Sequence, residues 1–273
     1  MIRSIFALLF LLSGPAFAQL PGVNVQGLDK DEVGDLELLM RQGACPCDPK
    51  LSLFDCIEKK SCPAAVELAT FGADKMREGL GTEQVLKALV QKYMNDHVPP
   101  ARFDLTEAPS KGAKGGRVVV VEFADFECPH CAEMRHVIEE VVKAYPNDVT
   151  VYFKQFPIAF HTYAEPAARA ALAAHKQNRF WPMHDLIFQN QAVLSPEKFT
   201  EFATELGLNL DRFKADMESP AIRDRVNKDR QEGEEAHLSA TPTLFFNGRM
   251  YLDDRTADAI KAHIATLLKA QAP

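Results

Sequence analysis

The chain has 273 residues, 47% of them hydrophobic and 25% charged, which excludes disorder and collagen-like repetition. Its 31 basic and 38 acidic residues leave a formal net charge of −7, and no Lys/Arg-dense run tracks a phosphate backbone, which argues against nucleic acid as a partner. At this length one large domain or two smaller ones could each bury a core without crosslinks, so any disulfides need another reason.

Residues 1–18 read as a secretory signal. Arg3 supplies the positive start, Ile5 to Leu12 is an apolar run, and Ala16-Phe17-Ala18 places small residues at a cleavage point before Gln19. The alternative is an uncleaved anchor, but the run falls short of the roughly 20 residues that cross a bilayer, and Gly14 and Pro15 interrupt it. An exported, periplasmic chain of net charge −8 is expected once Arg3 is removed. In that compartment thiols are not kept reduced, so six cysteines should form or handle disulfides.

Residues 19–102 are expected to form an N-terminal helical, cysteine-containing domain. The stretch from Gln19 to Asp35 gives little structural signal. Pro63 suits a first helical turn, and Ala64, Ala65, Leu68, Ala69 and Met76 follow at helical spacing until Gly79 and Gly81. Thr82 is placed as the cap of a further helix whose stripe is Val85, Leu86, Leu89, Val90, Tyr93 and Met94. Pro99 and Pro100 end it, and the stretch from Pro109 to Gly116 reads as a turn-rich connector.

From residue 103 to 273 the pattern changes to α/β. Val118 to Phe123 is a β-branched run typical of a strand buried on both faces. A helix around Val137 to Tyr145 and a strand from Val149 to Phe156 complete a βαβ unit. Residues from about 160 to 236 are helical, with breaks at Asn178, Pro182, Pro196, Gly207 and Pro220. Thr243 to Phe246 and Arg249 to Leu252 flank Asn247-Gly248, a two-residue hairpin signal, and Ala257 to Leu268 closes as a helix.

Cys128-Pro129-His130-Cys131 lies between the buried strand and the helix. At a helix N-terminus the free N–H groups and the dipole favour a thiolate, so Cys128 is expected to be an exposed, low-pKa nucleophile. Cys131, one turn deeper, can attack a mixed disulfide at Cys128 and release product. Pro129 and His130 tune the pair, the imidazole near the thiolate favouring the reduced form. The competing reading, half a zinc site, lacks two further ligands at suitable spacing. Glu122, inside the strand, is expected to be buried, with a raised pKa that lets it exchange a proton with Cys131; its alternative is a strand-end carboxylate reaching water. Asp125 and Glu127 read as exposed loop carboxylates. The Thr241-Pro242 bond invites a cis peptide. His161, His175 and His184 are assigned surface or packing roles rather than a metal site, and Trp181 with the phenylalanines of the insert is assigned to core or to an apolar groove.

Strand, C-P-H-C, helix, strand, helical insert, T-P, hairpin and final helix together resemble the DsbA family of thioredoxin-fold thiol-disulfide oxidoreductases, over about Phe103 to Ala272. Val121 to Cys131 carries the active-site stretch, and Phe156 to His161 and Phe180 to Asp185 resemble two further segments. The resemblance implies Cys128 as nucleophile, Cys131 as resolving thiol, Glu122 as buried carboxylate and Pro242 as a cis-proline facing the disulfide. Thr241 beside it would contact an extended substrate segment by strand addition. No cofactor is implied beyond the two sulfurs. Implied partners are unfolded or partly folded exported proteins with cysteines, and a membrane redox partner.

Cys45, Cys47, Cys56 and Cys62 form a separate group. One intervening proline disfavours a direct Cys45 to Cys47 bond, and two crossing bridges to Cys56 and Cys62 are the preferred reading, stapling the small domain. A zinc site and a second redox centre remain open alternatives. The segment from Leu36 to Pro100 faintly resembles the three-helix domain of CcmH-type cytochrome c maturation proteins, without its C-x-x-C. N-terminal segments of DsbC, DsbG and ScsC proteins drive oligomerisation, and the Val85 to Met94 stripe could do the same; packing within its own domain is the plainer reading. The function expected is disulfide donation; isomerase or reductase work is the alternative, and a metal-binding or chaperone-type binding module is a third.

Overall fold

The computed structural model describes residues 20–271 of the protein, so the expected leader lies outside the described residues. The chain divides into two compact units, Met1–Pro99 and Pro100–Pro273. Residues 100–102 go with the second unit because the Ala101 N–H donates to the Gly248 carbonyl at 2.8 Å.

Among the described residues the first unit holds helices α1 (Lys30–Gln42), α2 (Leu53–Glu58), α3 (Pro63–Arg77) and α4 (Thr82–His97). Helix α1 begins inside the stretch that gave little signal. Its start is fixed by a capping box, with the Asp29 carboxylate accepting from the Glu32 N–H while Glu32 reaches back to the Asp29 N–H. Ser52 and Asp55 repeat the device on α2. On α4 the cap is Gly81, not Thr82, whose hydroxyl instead donates to the Asp35 carboxylate at 2.6 Å. Leu36, Met40, Ile57, Leu68 and Val85 are 1% exposed or less, and each such side chain contributes about 1.5–3 kcal/mol by leaving water. Disulfides join Cys45 to Cys56 and Cys47 to Cys62 around this core.

The second unit is built on a five-stranded sheet in the order β1-β3-β2-β4-β5, from Ser110–Gly112, Val118–Ala124, Val149–Gln155, Thr243–Phe246 and Arg249–Met250. Strand β2 runs parallel to β3 and antiparallel to β4, so the Val/Phe-rich β2 is central. Strand β1 corrects the reading of Pro109 to Gly116 as connector alone. Its backbone pairs antiparallel with β3, Lys111 opposite Val151, and main-chain pairing needs no apolar pattern. Asn247 (φ 48°) and Gly248 (φ 81°) turn the hairpin. A Cβ on Gly248 would stand 2.4 Å from the Ala101 carbonyl oxygen.

Helices α5 (Pro129–Ala144) and α11 (Ala257–Ala270) cover the sheet face carrying Val118, Val120, Val149 and Val151. Between β3 and β4 the chain inserts α6 (Ala164–His175), α7 (Phe180–Gln189), a single 3₁₀ turn (Gln191–Val193), α8 (Pro196–Glu205), α9 (Leu210–Glu218) and α10 (Pro220–Glu235). The alanine-rich α6 packs with Phe180, Met183, Phe199 and Phe213 into one apolar body that also takes in Phe126, Phe153, Cys128 and Cys131. Helix α10 is tied to β3 by charge: the fully buried Lys154 ammonium donates to Asp229 at 2.9 Å and Glu232 at 2.6 Å, and Arg225 reaches Asp229 at 3.0 Å. No helix among the described residues is long and apolar enough to cross a membrane.

Candidate active site

Cys128 ends the loop after β2 and is the N-cap of α5, with Pro129 in the first helical turn where its missing N–H costs nothing. The sulfur sits 3.3 Å from the Thr241 carbonyl oxygen. Its thiol is held down to about 5, first by the hydrogen bond from Cys131, then by Thr241 and the backbone N–H groups of Cys131 and His130, against the opposing effect of burial. Cys131 behaves in the opposite way. It is 0% exposed, and burial followed by the neighbouring Cys128 sulfur pushes its thiol far above the ordinary cysteine range. One helical turn thus separates a thiolate from a thiol that stays protonated.

Cys128 was expected to be exposed, and it is only 7% exposed. It lines a cleft of about 480 Å³ together with Phe156, Ile158, Phe160, Leu238 and Thr241, which is the open approach to its sulfur. Phe160 stands 80% exposed at its edge. The Thr241-Pro242 peptide is cis. His130 does not place its imidazole beside the thiolate: the side chain is 75% exposed and its Nδ1 meets Glu133 at 3.2 Å. What it contributes to Cys128 is its backbone N–H.

Glu122, 2% exposed on β2, carries a carboxyl pushed up to about 7 by burial, with the Lys111 ammonium pulling the other way. Its charge and that of the Cys131 sulfur oppose one another, the relation a proton exchange between them requires. Lys111 comes from β1, the strand the sequence reading missed, and lies 3.9 Å from the centre of the Trp181 ring, whose indole N–H donates to the Ser110 carbonyl.

Asp125 and Glu127 correct the expectation of exposed loop carboxylates. Asp125 is 1% exposed and accepts from the Glu127 and Ile158 N–H groups, both at 2.6 Å, with His161 Nδ1 at 2.9 Å. It therefore pins the cleft segment Ile158 to His161 to the active-site loop. Glu127, half-buried, is turned to the Tyr163 N–H, which directs its charge to a partner of its own. Gln191 escaped the sequence reading. Its amide donates to the carbonyls of Phe126 at 2.7 Å and Cys128 at 3.0 Å, tying the insert to the reactive turn. Of the remaining histidines, His184 is buried among Phe126, Phe153 and Phe188, and burial drives its imidazole down to about 4.

In the N-terminal unit the sulfurs of Cys45, Cys47 and Cys62 lie within 4.8 Å of one another. Tied in disulfides they carry no thiolate charge, which is what zinc requires of a cysteine ligand.

A cysteine pair at a helix start, in contact with a cis-proline loop at one end of a mixed sheet, is the arrangement of a thioredoxin fold. The family model described as Thioredoxin matches residues 106–266, and the chain belongs to that family. Among curated proteins it is 35% identical over 155 residues to the Na(+)/H(+) antiporter NhaA 3 of Salinispora tropica, covering 56% of this chain and 24% of that protein. A second antiporter, NhaA of Herminiimonas arsenicoxydans, is 35% identical over 153 residues, 55% of this chain and 24% of its own. The chain thus spans about a quarter of the length of these relatives. Among solved structures, the thiol-disulfide exchange protein α-DsbA2 of Wolbachia pipientis superposes with a TM-score of 0.55 at 21% identity, covering 68% of this chain and 97% of that one. Oxidised BdbD of Bacillus subtilis gives 0.54 at 23% identity, over 62% and 97%. These likenesses establish the fold, which is that of DsbA-like thiol-disulfide oxidoreductases.

Proposed function

We propose that the protein is an exported thiol-disulfide oxidoreductase that donates a Cys128–Cys131 disulfide to cysteines of folding proteins. The observation that carries this reading is the contrast between a Cys128 thiol held down to about 5 and a buried Cys131 thiol held up. In the oxidised enzyme a substrate thiolate attacks the Cys128 sulfur, the Cys128–Cys131 bond breaks, and Cys131 leaves with the electron pair. Cys131 cannot stay charged where it lies, so it takes a proton, for which Glu122 is the nearby donor. A second substrate thiolate then attacks its partner sulfur in the mixed disulfide, and Cys128 departs as a stabilised thiolate. The low pKa of Cys128 stabilises the reduced enzyme and so makes its disulfide oxidising.

The apolar walls of the cleft, Phe156, Ile158, Phe160 and Leu238, suit an unfolded segment laid against the Thr241 backbone. Reoxidation would fall to a membrane redox partner. Redox equilibrium in glutathione buffers, with each cysteine counted by alkylation and mass spectrometry, tests the reading. A Cys128/Cys131 potential near about −120 mV supports disulfide donation, and one near about −270 mV overturns it in favour of a reductase or isomerase.

A further inference from the structure

The N-terminal unit is crosslinked twice. Its two disulfides differ in access: Cys45 and Cys56 are 0% and 1% exposed, so that bridge is closed to solvent. In the other bridge Cys62 is 1% exposed, but its partner Cys47 is an exposed residue in the loop between α1 and α2. An external thiolate can therefore approach one sulfur of the four.

The leaving sulfur on the far side of that bond is also distinctive. Cys62 is the N-cap of the fifteen-residue α3, no side chain caps that helix end, and Pro63 occupies the first turn. Cys128 has the same placement on α5, with Pro129 following it. A thiolate released at Cys62 would sit at the positive end of the α3 dipole, and a stabilised thiolate leaves faster. The third observation is the packing of sulfurs: Cys45 lies within 4.8 Å of both Cys47 and Cys62, so the two bridges are neighbours.

From these three features we infer that Cys47–Cys62 is a second exchange-active disulfide, attacked at Cys47 by thiolates of polypeptide substrates, while Cys45–Cys56 is the structural staple. The external thiolate bonds to the Cys47 sulfur, the Cys47–Cys62 bond breaks, and Cys62 departs as a thiolate. A second thiolate on the same substrate attacks its own sulfur in the mixed disulfide and leaves both Cys47 and Cys62 reduced. Two electrons pass from the substrate dithiol to the bridge, and the substrate is oxidised to its disulfide. Where the substrate has a single thiol, the Cys62 thiolate can attack the neighbouring Cys45, forming Cys45–Cys62 and moving the free thiol inward to Cys56.

The test treats the purified, folded protein with reduced glutathione under native conditions, quenches with acid, and maps every cysteine by mass spectrometry. The expected result is a glutathione adduct on Cys47 in about tenfold excess over adducts on Cys45, Cys56 or Cys62, with the free thiol on Cys62 or Cys56 and far-ultraviolet circular dichroism unchanged. Adducts spread evenly over the four cysteines, or appearing only as the dichroism is lost, overturn the inference. So does a Cys47–Cys62 bridge that stays intact at glutathione concentrations that fully open Cys128–Cys131.

Discussion

The Cys128 sulfur and the Thr241 carbonyl oxygen stand 3.3 Å apart across 113 residues of sequence. The contact makes the cis-proline loop part of the thiol's electrostatic surroundings as well as a wall of the cleft. The Thr241 side chain, not this carbonyl, helps to hold the Cys128 thiol down, and it ranks behind the hydrogen bond from Cys131.

That ranking gives a titration with a definite sign. Followed by thiolate absorbance, Cys128 should ionise with a midpoint near 5 while Cys131 stays silent at neutral pH. Because the folded value lies below the unfolded one, the thiolate adds stability to the reduced state that is complete above the unfolded value and disappears as pH falls through about 5. At pH 7 it is worth about 3 kcal/mol, so denaturant midpoints of reduced over oxidised protein should separate further as pH rises from 5 to 9. Cys131→Ala should move the Cys128 midpoint upward by about one unit or more; an unmoved midpoint would show that Cys131 does not set it.

Glu122 gives the opposite slope. Its folded carboxyl keeps a proton up to about 7, against an ordinary value of 4.5, so its contribution to stability is complete below the ordinary value and falls away as pH rises through the folded one. Over that window the parent should lose up to roughly 3 kcal/mol relative to Glu122→Gln, whose profile should be flatter. Urea unfolding of both proteins at pH 4.5 and pH 8 measures it, and parallel profiles would refute the burial argument. The same variant should slow turnover below pH 7, where the parent carboxyl can still hand a proton to Cys131.

Thr241 separates backbone from side chain. Its hydroxyl is buried and helps to hold the Cys128 thiol down, whereas its carbonyl oxygen accepts from that thiol and so favours the protonated form. Thr241→Val removes only the hydroxyl and should move the Cys128 midpoint upward, because the Thr241 side chain is one of the influences holding the thiol down. An unmoved midpoint would show that the hydroxyl takes no part.

Lys154 tests the anchoring of the insert. Removing its ammonium takes the shared counter-charge from the fully buried Asp229 and the partly buried Glu232, with Arg225 the remaining counter-charge on Asp229. Lys154→Met should cost about 3 kcal/mol in equilibrium unfolding, and adding Asp229→Leu should restore part of it because the stranded charge is then gone. A double variant no better than the single one would show that the network acts through packing rather than charge.

The second unit was largely legible because its signals are periodic. The β-branched run before Cys128, the helix starting at Pro129 and the Asn247-Gly248 hairpin each follow from side-chain pattern or turn chemistry. What escaped notice did so for physical reasons. Strand β1 pairs through its backbone and carries Ser, Lys and Gly, so no alternation marks it. Asp125 looked like a loop carboxylate, and its burial depends on donors from Ile158 and His161 more than thirty residues away. Gln191 resembles any surface amide until the fold brings it under the Cys128 carbonyl. Asp29 and Glu32, by contrast, had the spacing of a capping box in plain view, and α1 could have been placed from them.

The two strands at the margins of the sheet are three and two residues long. A row of unpaired backbone donors and acceptors at such a margin is a template on which a foreign extended chain can add and keep growing. For a protein proposed to spend its working life among incompletely folded polypeptides, margins this short confine extended-chain pairing to the neighbourhood of the reactive sulfur. In the function proposed above, capture would end when the disulfide is passed on, with little exposed strand margin left on which further chains could pair.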